Sequence, residues 1–204
     1  GFGSELGAGG IRGIWGSGSS EGWGEMYRAG VINTDGGLDG ELINRSDRIV
    51  EDGRTFSYVL HAGTVTITIT QNDVRAIQLA KAALYAGVRL LMDKLNVDKI
   101  DRIRLAGAFG SHIDVKYAMV LGLIPDCAIE NVTSAGNAAG SGAHIALVDS
   151  NARLEIEREV RRIEKIETAV ESRFQEHFIE AMAIPHKTAS YPELSKVVSW
   201  PAPS

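Results

Sequence analysis

The segment Ile103-Arg104-Leu105-Ala106-Gly107-Ala108-Phe109-Gly110-Ser111 decides the fold class, because it joins a predicted β-strand to a glycine turn. The strand is predicted over residues 99–106, where apolar and charged residues alternate before the glycines. A helix is predicted from about Val115 to Leu121. Strand, glycine turn and helix in this order form the repeating unit of α/β domains.

The same unit occurs a second time downstream. A short strand is predicted over about residues 128–133, and the run Gly136-Asn137-Ala138-Ala139-Gly140-Ser141-Gly142 then opens a helix of small residues that extends through Leu147. Two such units in series predict an α/β lobe with a mixed sheet flanked by helices.

Upstream, β-branched and aromatic residues alternate over residues 54–70 and predict a β-hairpin that turns at Ala62-Gly63. Thr70 and Asp73 predict the start of a helix, since a threonine can cap the first turn and an acid favours its positive end. Apolar residues then recur every three or four positions, which predicts one stripe facing a core: Val74, Ile77, Ala80, Leu84, Val88, Leu91 and Leu95.

The two ends of the chain differ in composition from the middle. Residues 1–24 are rich in glycine and serine and predict a loop, followed by a short helix from Trp23 that stops at Gly30. A long amphipathic helix is predicted over residues 152–183, whose charged face is either a solvated surface or a subunit contact. We therefore predict one lobe over residues 1–184 and a proline-containing tail over residues 185–204.

Composition excludes several classes of function. With 21 Lys plus Arg against 26 Asp plus Glu, the net charge of −5 offers no basic field for nucleic acid or anionic lipid. No apolar run is long enough to span a membrane, so we expect a soluble, cytoplasmic protein. Cys127 is the single cysteine, which excludes an internal disulfide and a cysteine-ligated metal or iron-sulfur cluster within this chain. The start lacks Met and any signal pattern, which predicts a piece of a longer chain.

Three glycine clusters each lie next to a predicted helix start: residues 16–20, 106–111 and 136–142. Glycine lets backbone N–H groups approach a phosphate or ribose, and a helix N-terminus adds partial positive charge. None of the clusters has the P-loop spacing or the Rossmann fingerprint. A single glycine turn also occurs without any ligand, so nucleotide contact and simple turns both stay open for each cluster alone.

In combination, residues 69–83, 105–114 and 136–143 resemble the C-terminal domain of the reductive activators of corrinoid proteins, and the resemblance covers roughly residues 12–185. It implies one lobe of an actin-like ATPase fold, the ASKHA fold of acetate and sugar kinases, Hsc70 and actin. It also implies an ATP-dependent reduction of Co(II) corrinoid to Co(I) in a partner corrinoid protein. The electron would come from a [2Fe-2S] domain that this chain does not contain, and ATP would bind with Mg²⁺ in the complete protein.

The resemblance further implies which residues would contact the nucleotide: Gly16, Ser17, Gly18, Gly107, Ala108, Gly110, Ser111, Gly136, Asn137 and Gly140. No catalytic residue is identified, and the histidines show no metal-ligand spacing. The acidic Asp-x-Gly loop that would hold Mg²⁺ and phosphate in the other lobe is not found here. An isolated lobe is therefore not expected to hydrolyse ATP.

Two alternatives follow from the same patterns. The first is a small-molecule kinase of the same fold, which would consume ATP only in the presence of a sugar or carboxylate acceptor. The second is a non-catalytic module in which the helix predicted over residues 152–183 forms a homodimer and the glycine turns only pack.

Overall fold

The computed structural model describes residues 16–107, 110 and 112–201. Helices and strands are both present, which confirms the α/β class. The helices are α1 Gly16–Arg28, α2 Gln71–Leu95, α3 Val115–Val120, α4 Ala138–Val148, α5 Ser150–Val160 and α6 Ser172–Ala181. The strands are β1 Ile49–Asp52, β2 Thr55–His61, β3 Ile67–Thr70, β4 Ile103–Ala106 and β5 Val132–Gly136. Among the helices of these residues, none combines the length and apolar character that a membrane crossing needs.

The predicted hairpin is confirmed and belongs to a three-stranded antiparallel sheet in the order β1-β2-β3. β2 pairs with β3 so that Ser57 lies opposite Thr70, and β1 pairs with β2 so that Ile49 lies opposite Tyr58. β1 was not predicted because only its first residue is buried and its last two residues are acidic.

The two strand-turn-helix units meet as a parallel pair, in which Ile103 of β4 lies opposite Val132 of β5. β5 starts later than the predicted strand, since Ile129–Asn131 form a 3₁₀ turn. The sequence predicted antiparallel and parallel pairings within one mixed sheet. Among the described residues, they belong to two separate hydrogen-bonded sheets.

Helix α1 corrects the loop prediction for residues 16–24, because the helix already begins at Gly16. It buries Trp23, Met26 and Tyr27 in the core, and this packing offsets the low helix propensity of its glycines. The predicted stop is confirmed: Gly30 has a φ of +75° just past the last turn. The rest of the predicted loop, residues 1–15, lies outside the described residues.

Helix α2 begins as predicted, with a capping box between Thr70 and Asp73, and ends at Asn96 with a φ of 54°. Its predicted apolar stripe is wrong in most positions, since Leu84 and Leu95 are 49% and 73% exposed. The buried face is rotated from the predicted one and includes polar residues: Val74, Gln78, Lys81, Ala82, Tyr85, Ala86, Leu90 and Met92.

The buried polar residues of α2 hold two other segments by their backbone oxygens. Gln78 Nε2 donates to the carbonyls of Asp35 at 2.9 Å and Met182 at 2.8 Å. Lys81 Nζ donates to the carbonyls of Ala183 and, at 2.7 Å, Pro185. Such bonds offset the cost of removing these groups from water, so the polar face of α2 packs as core.

The helix predicted over residues 152–183 is instead two helices, α5 and α6, separated at residues 161–171. α6 packs along α2, where His177 Nε2 lies 2.6 Å from the Asp93 carboxylate. Between the helices, Ile163 and Val170 are exposed, so no packing supports a continuous helix there.

The segment predicted as a surface tail enters the core after residue 184. Tyr191, Leu194 and Val198 are buried in the main apolar cluster. The Asp126 carboxylate accepts hydrogen bonds from the backbone N–H groups of Glu193 at 2.9 Å and Leu194 at 3.0 Å. The core of the lobe therefore includes the C-terminal segment.

Candidate functional site

The two glycine turns that follow β4 and β5 meet at one edge of the parallel pair. The Gly107 N–H donates a 2.8 Å hydrogen bond to the Gly136 carbonyl. Since parallel strands end at the same edge, this bond brings together two turns that lie about thirty residues apart in the sequence. Gly107 and Gly136 have φ values of +96° and +59°, which L-residues with side chains rarely adopt.

Both turns face open space. Apart from its chain neighbours, a Cβ atom built on Gly107 or on Gly136 would have no atom of the described residues within 4 Å. Within the part of the chain that the structure describes, a ligand could approach the backbone at these two positions. That this edge contacts a nucleotide stays a prediction.

The N-terminus of α4 adds a polar cap to the same edge. The Asn137 Oδ1 accepts a 2.9 Å hydrogen bond from the Gly140 N–H and is the N-cap of an 11-residue helix. A Cβ at Gly140 would lie 2.9 Å from Asn137 Cγ, so glycine keeps this cap in place. The positive end of the α4 dipole consequently lies next to the Gly136 turn.

Gly110 lies on the β4 side, where the chain passes close to the strand it has just left. A Cβ at Gly110 would lie 2.9 Å from Leu105 Cβ and 3.0 Å from the Leu105 carbonyl carbon. This close approach accounts for glycine at the position. The other two residues predicted in this turn, Ala108 and Ser111, lie outside the described residues.

Gly16, Ser17 and Gly18 form the first turn of α1 instead of the predicted loop before a helix. α1 contacts α3, the helix that follows the Gly107 turn: the Tyr117 hydroxyl donates to the Glu25 carboxylate. That hydrogen bond is the main reason why the pKa of Glu25 is lowered from its usual value. The contact joins the middle of α1 to α3.

His112 and Asp114 lie just before α3 in the chain. The Asp114 Oδ1 accepts a 3.3 Å hydrogen bond from the Tyr117 N–H and is the N-cap of the helix. His112 is exposed. Capping therefore explains Asp114 without a ligand.

A cavity of about 770 Å³ lies away from the glycine edge and was not predicted. Its walls include Tyr27, Ile32 and Leu38, and its polar residues include Asp39 and Glu41. Two carboxylates without a lining lysine or arginine disfavour a phosphate, so the glycine edge is the better candidate for an anionic nucleotide. Within residues 16–107, 110 and 112–201, no His, Cys, Asp and Glu side chains cluster as metal ligands would.

Comparisons with known proteins agree on one family. The profile of the family described as the C-terminal domain of RACo, the ASKHA domain, matches residues 3–195. The corrinoid activation enzyme RamQ of Eubacterium limosum is 36% identical over an alignment that covers 67% of this chain and 25% of RamQ. The solved structure of a reductive activator for corrinoid, iron-sulfur protein matches with a TM-score of 0.74 and 33% identity, covering 85% of this chain and 28% of that protein. The chain spans about a quarter of the length of these relatives.

Proposed function

The chain belongs to the family of RACo C-terminal domains, the ASKHA domain, and from that premise we propose that it is the nucleotide-binding lobe of an ATP-dependent reductive activator of a corrinoid protein. The observation that carries the proposal is the meeting of Gly107 and Gly136 at one open edge. The N-terminus of α4 is suited to a phosphate there. The Gly107 and Gly136 N–H groups already donate to the Gly136 carbonyl and to Ser134 Oγ, so these two glycines contribute close approach of the backbone and not free donors.

The nucleotide is ATP, and this lobe contributes one wall of its site. The proposed contacts are Gly107, Gly110, Gly136, Asn137 and Gly140, together with the first turn of α1. Ala108 and Ser111 complete the predicted set. Mg²⁺ would be held mainly by acidic groups and phosphates outside this lobe, since Mg²⁺ prefers oxygen ligands and retains several waters.

The redox step takes place elsewhere in the complete protein. A [2Fe-2S] cluster held outside this chain would supply the one electron that reduces Co(II) corrinoid to Co(I) in the partner protein, and ATP would make this transfer feasible by changing the activator's hold on its partner. The cluster does not fit within this chain, because four thiolates are needed and Cys127 is the single cysteine. That cysteine is also buried.

The test compares two glycine-to-alanine variants of the complete protein. Gly136→Ala and Gly53→Ala both place a methyl group in open space at a similar backbone conformation, with φ values of +59° and +64°. Gly53 lies in the β1-β2 turn, outside the proposed site. We expect Gly136→Ala to weaken binding of a non-hydrolysable ATP analogue at least about tenfold, because its methyl group would occupy space needed by the nucleotide, and Gly53→Ala to leave the affinity unchanged. Since the backbone strain is similar in the two variants, strain does not explain such a difference.

The same variants are assayed for ATP-dependent formation of Co(I) in a corrinoid protein with a reductant present. We expect a parallel loss in Gly136→Ala only. Equal affinities in the two variants, or no ATP effect on the wild-type rate, would contradict the proposal. ATP consumption that depends on a sugar or carboxylate acceptor would instead support a small-molecule kinase.

A further inference from the structure

Intrinsic helix propensity does not account for the formation of helix α1. Four of its 13 residues are glycines, and each glycine in a helix interior costs about 1 kcal/mol relative to alanine. Tertiary contacts must therefore hold the helix, whose first turn contains Gly16 and Gly18. One such contact is made with α3.

Gly24 and Tyr117 form the centre of that contact. Gly24 is buried, and a Cβ built on it would lie 2.5 Å from Tyr117 Cδ1 and 3.3 Å from Tyr117 Cε1. The tyrosine ring thus occupies the space that any larger residue at position 24 would need. Gly22, two residues earlier on the same helix, has no atom within 4 Å of such a Cβ.

The tyrosine is itself held from several sides. Its backbone N–H donates to the Asp114 carboxylate at 3.3 Å, and Lys116 Nζ lies 4.2 Å from the centre of its ring. Its hydroxyl donates to the Glu25 carboxylate, which forms a 2.6 Å ion pair with Arg28. The ring therefore has a defined position against α1.

We propose that Tyr117 is a positioning residue that registers α1 against α3, so that the first turn of α1 and the turn at Gly107 act together on one nucleotide. This rests on the proposed function. Gly24 lies eight residues after Gly16 on α1, and Tyr117 lies on α3, which begins eight residues after Gly107, so their contact fixes the position of α1 relative to α3. A shift of α1 relative to α3 would change the distance between the two turns.

The test combines amide hydrogen exchange with binding of an ATP analogue, both on the complete protein. Gly24→Ala is expected to lower the protection of α1 amides and to weaken nucleotide binding at least about tenfold, because its methyl group meets the ring. The matched control Gly22→Ala is expected to raise α1 protection by up to about fivefold, since alanine is the better helix former. Its nucleotide affinity should stay at the wild-type value.

Variants at position 117 distinguish a positioning role of Tyr117 from a general effect of the substitution on protein stability. Tyr117→Ala removes the ring that the Gly24→Ala methyl group would meet. In the Tyr117→Ala background, Gly24→Ala should therefore raise the hydrogen-exchange protection of α1, whereas in the wild-type background it should lower that protection. Tyr117→Phe keeps the ring and should retain affinity within about threefold, whereas Tyr117→Ala should lose at least about tenfold.

Two failures can be told apart. If the wild-type protein does not bind the analogue, the proposed function is wrong, and the nucleotide part of this inference falls with it. If the wild-type protein binds but Gly24→Ala and Tyr117→Ala leave the dissociation constant unchanged, the positioning role is wrong and the proposed function stands. The same sign for Gly24→Ala in both backgrounds would also overturn the inference.

Discussion

Lys81 lies in an environment that is unusual for a lysine. Its side chain is fully buried and donates to the carbonyls of Ala183 and Pro185. A Cβ on Gly122 would lie 2.8 Å from the Pro185 carbonyl carbon and 3.1 Å from Lys81 Nζ, so glycine makes room for this contact. Burial lowers the pKa of Lys81 to about 7. Burial, with repulsion from Lys81, lowers the pKa of His186 to about 4.

The pKa of Lys81 is lower in the folded protein than in the unfolded chain. Below about pH 7 the side chain is charged in both states, so the whole cost of burying the charge is subtracted from the free energy of unfolding. Between about pH 7 and the usual value of 10.5, only the unfolded chain keeps the proton, so stability should rise with pH. We expect Lys81→Met to remove this rise. Between pH 7 and 9 the wild-type free energy of unfolding should increase by about 1–2 kcal/mol relative to the variant, as measured by denaturant titration.

Lys99→Met is the control for this prediction, since Lys99 is exposed. Its stability should follow the wild-type dependence on pH. Parallel curves for wild type and Lys81→Met would mean that the two carbonyls keep the ammonium charged in the folded protein throughout this range, contrary to the prediction.

At the scale of elements, α2 connects the antiparallel sheet to α6 and to the C-terminal segment. Its start is a local feature: the Asp73 N–H donates to Thr70 Oγ1 at 3.2 Å, and the Thr70 N–H donates to the Asp73 carboxylate at 2.8 Å. Both hydrogen bonds join residues three positions apart, which is why the sequence predicted them. The buried face of α2 depends on distant segments and was not predicted.

We expect Thr70→Ala to lower the free energy of unfolding by about 1 kcal/mol, because the Asp73 N–H loses its acceptor, Thr70 Oγ1. Thr66→Ala, in the exposed loop before β3, provides the comparison and should change stability by less than about 0.5 kcal/mol. Chemical denaturation of both variants measures the difference. Equal midpoints would show that the capping box contributes nothing to stability.

At the scale of the whole molecule, the chain closes its core with residues that are distant in sequence. The C-terminal segment brings Tyr191 and Leu194 against the apolar cluster around α1, α2 and α3. The Tyr191 hydroxyl donates to the Ile124 carbonyl at 3.3 Å, and Trp200 packs edge-on against Tyr27 and Tyr191. These contacts join residues from the two ends of the described chain into one core.

Leu194→Ala should therefore destabilise the lobe by about 2–5 kcal/mol, the cost of removing a buried leucine side chain and leaving a cavity. Leu194 is fully buried, whereas the neighbouring Val197 is 58% exposed. Val197→Ala should cost less than about 1 kcal/mol by the same measurement. A small loss in Leu194→Ala would indicate that the C-terminal segment is not part of the cooperative core.

The sequence by itself determined the features that depend on neighbours within a few residues. These are the strand-turn-helix units around Gly107 and Gly136, the hairpin before α2, the capping box at Thr70 and the glycine stop at Gly30. Propensity, alternation and capping act between such neighbours, so their patterns are visible in one sequence. The resemblance to the activator family depends on the same local motifs.

Only the tertiary structure decided which of these features meet. Four features depend on packing partners far along the chain. They are the hydrogen bond between Gly107 and Gly136, the helical state of the glycines in α1, the polar buried face of α2, and the break between α5 and α6. A helix buries whichever face gains the best contacts, and glycines become helical when packing outweighs their entropy cost. No periodicity within a segment specifies those partners.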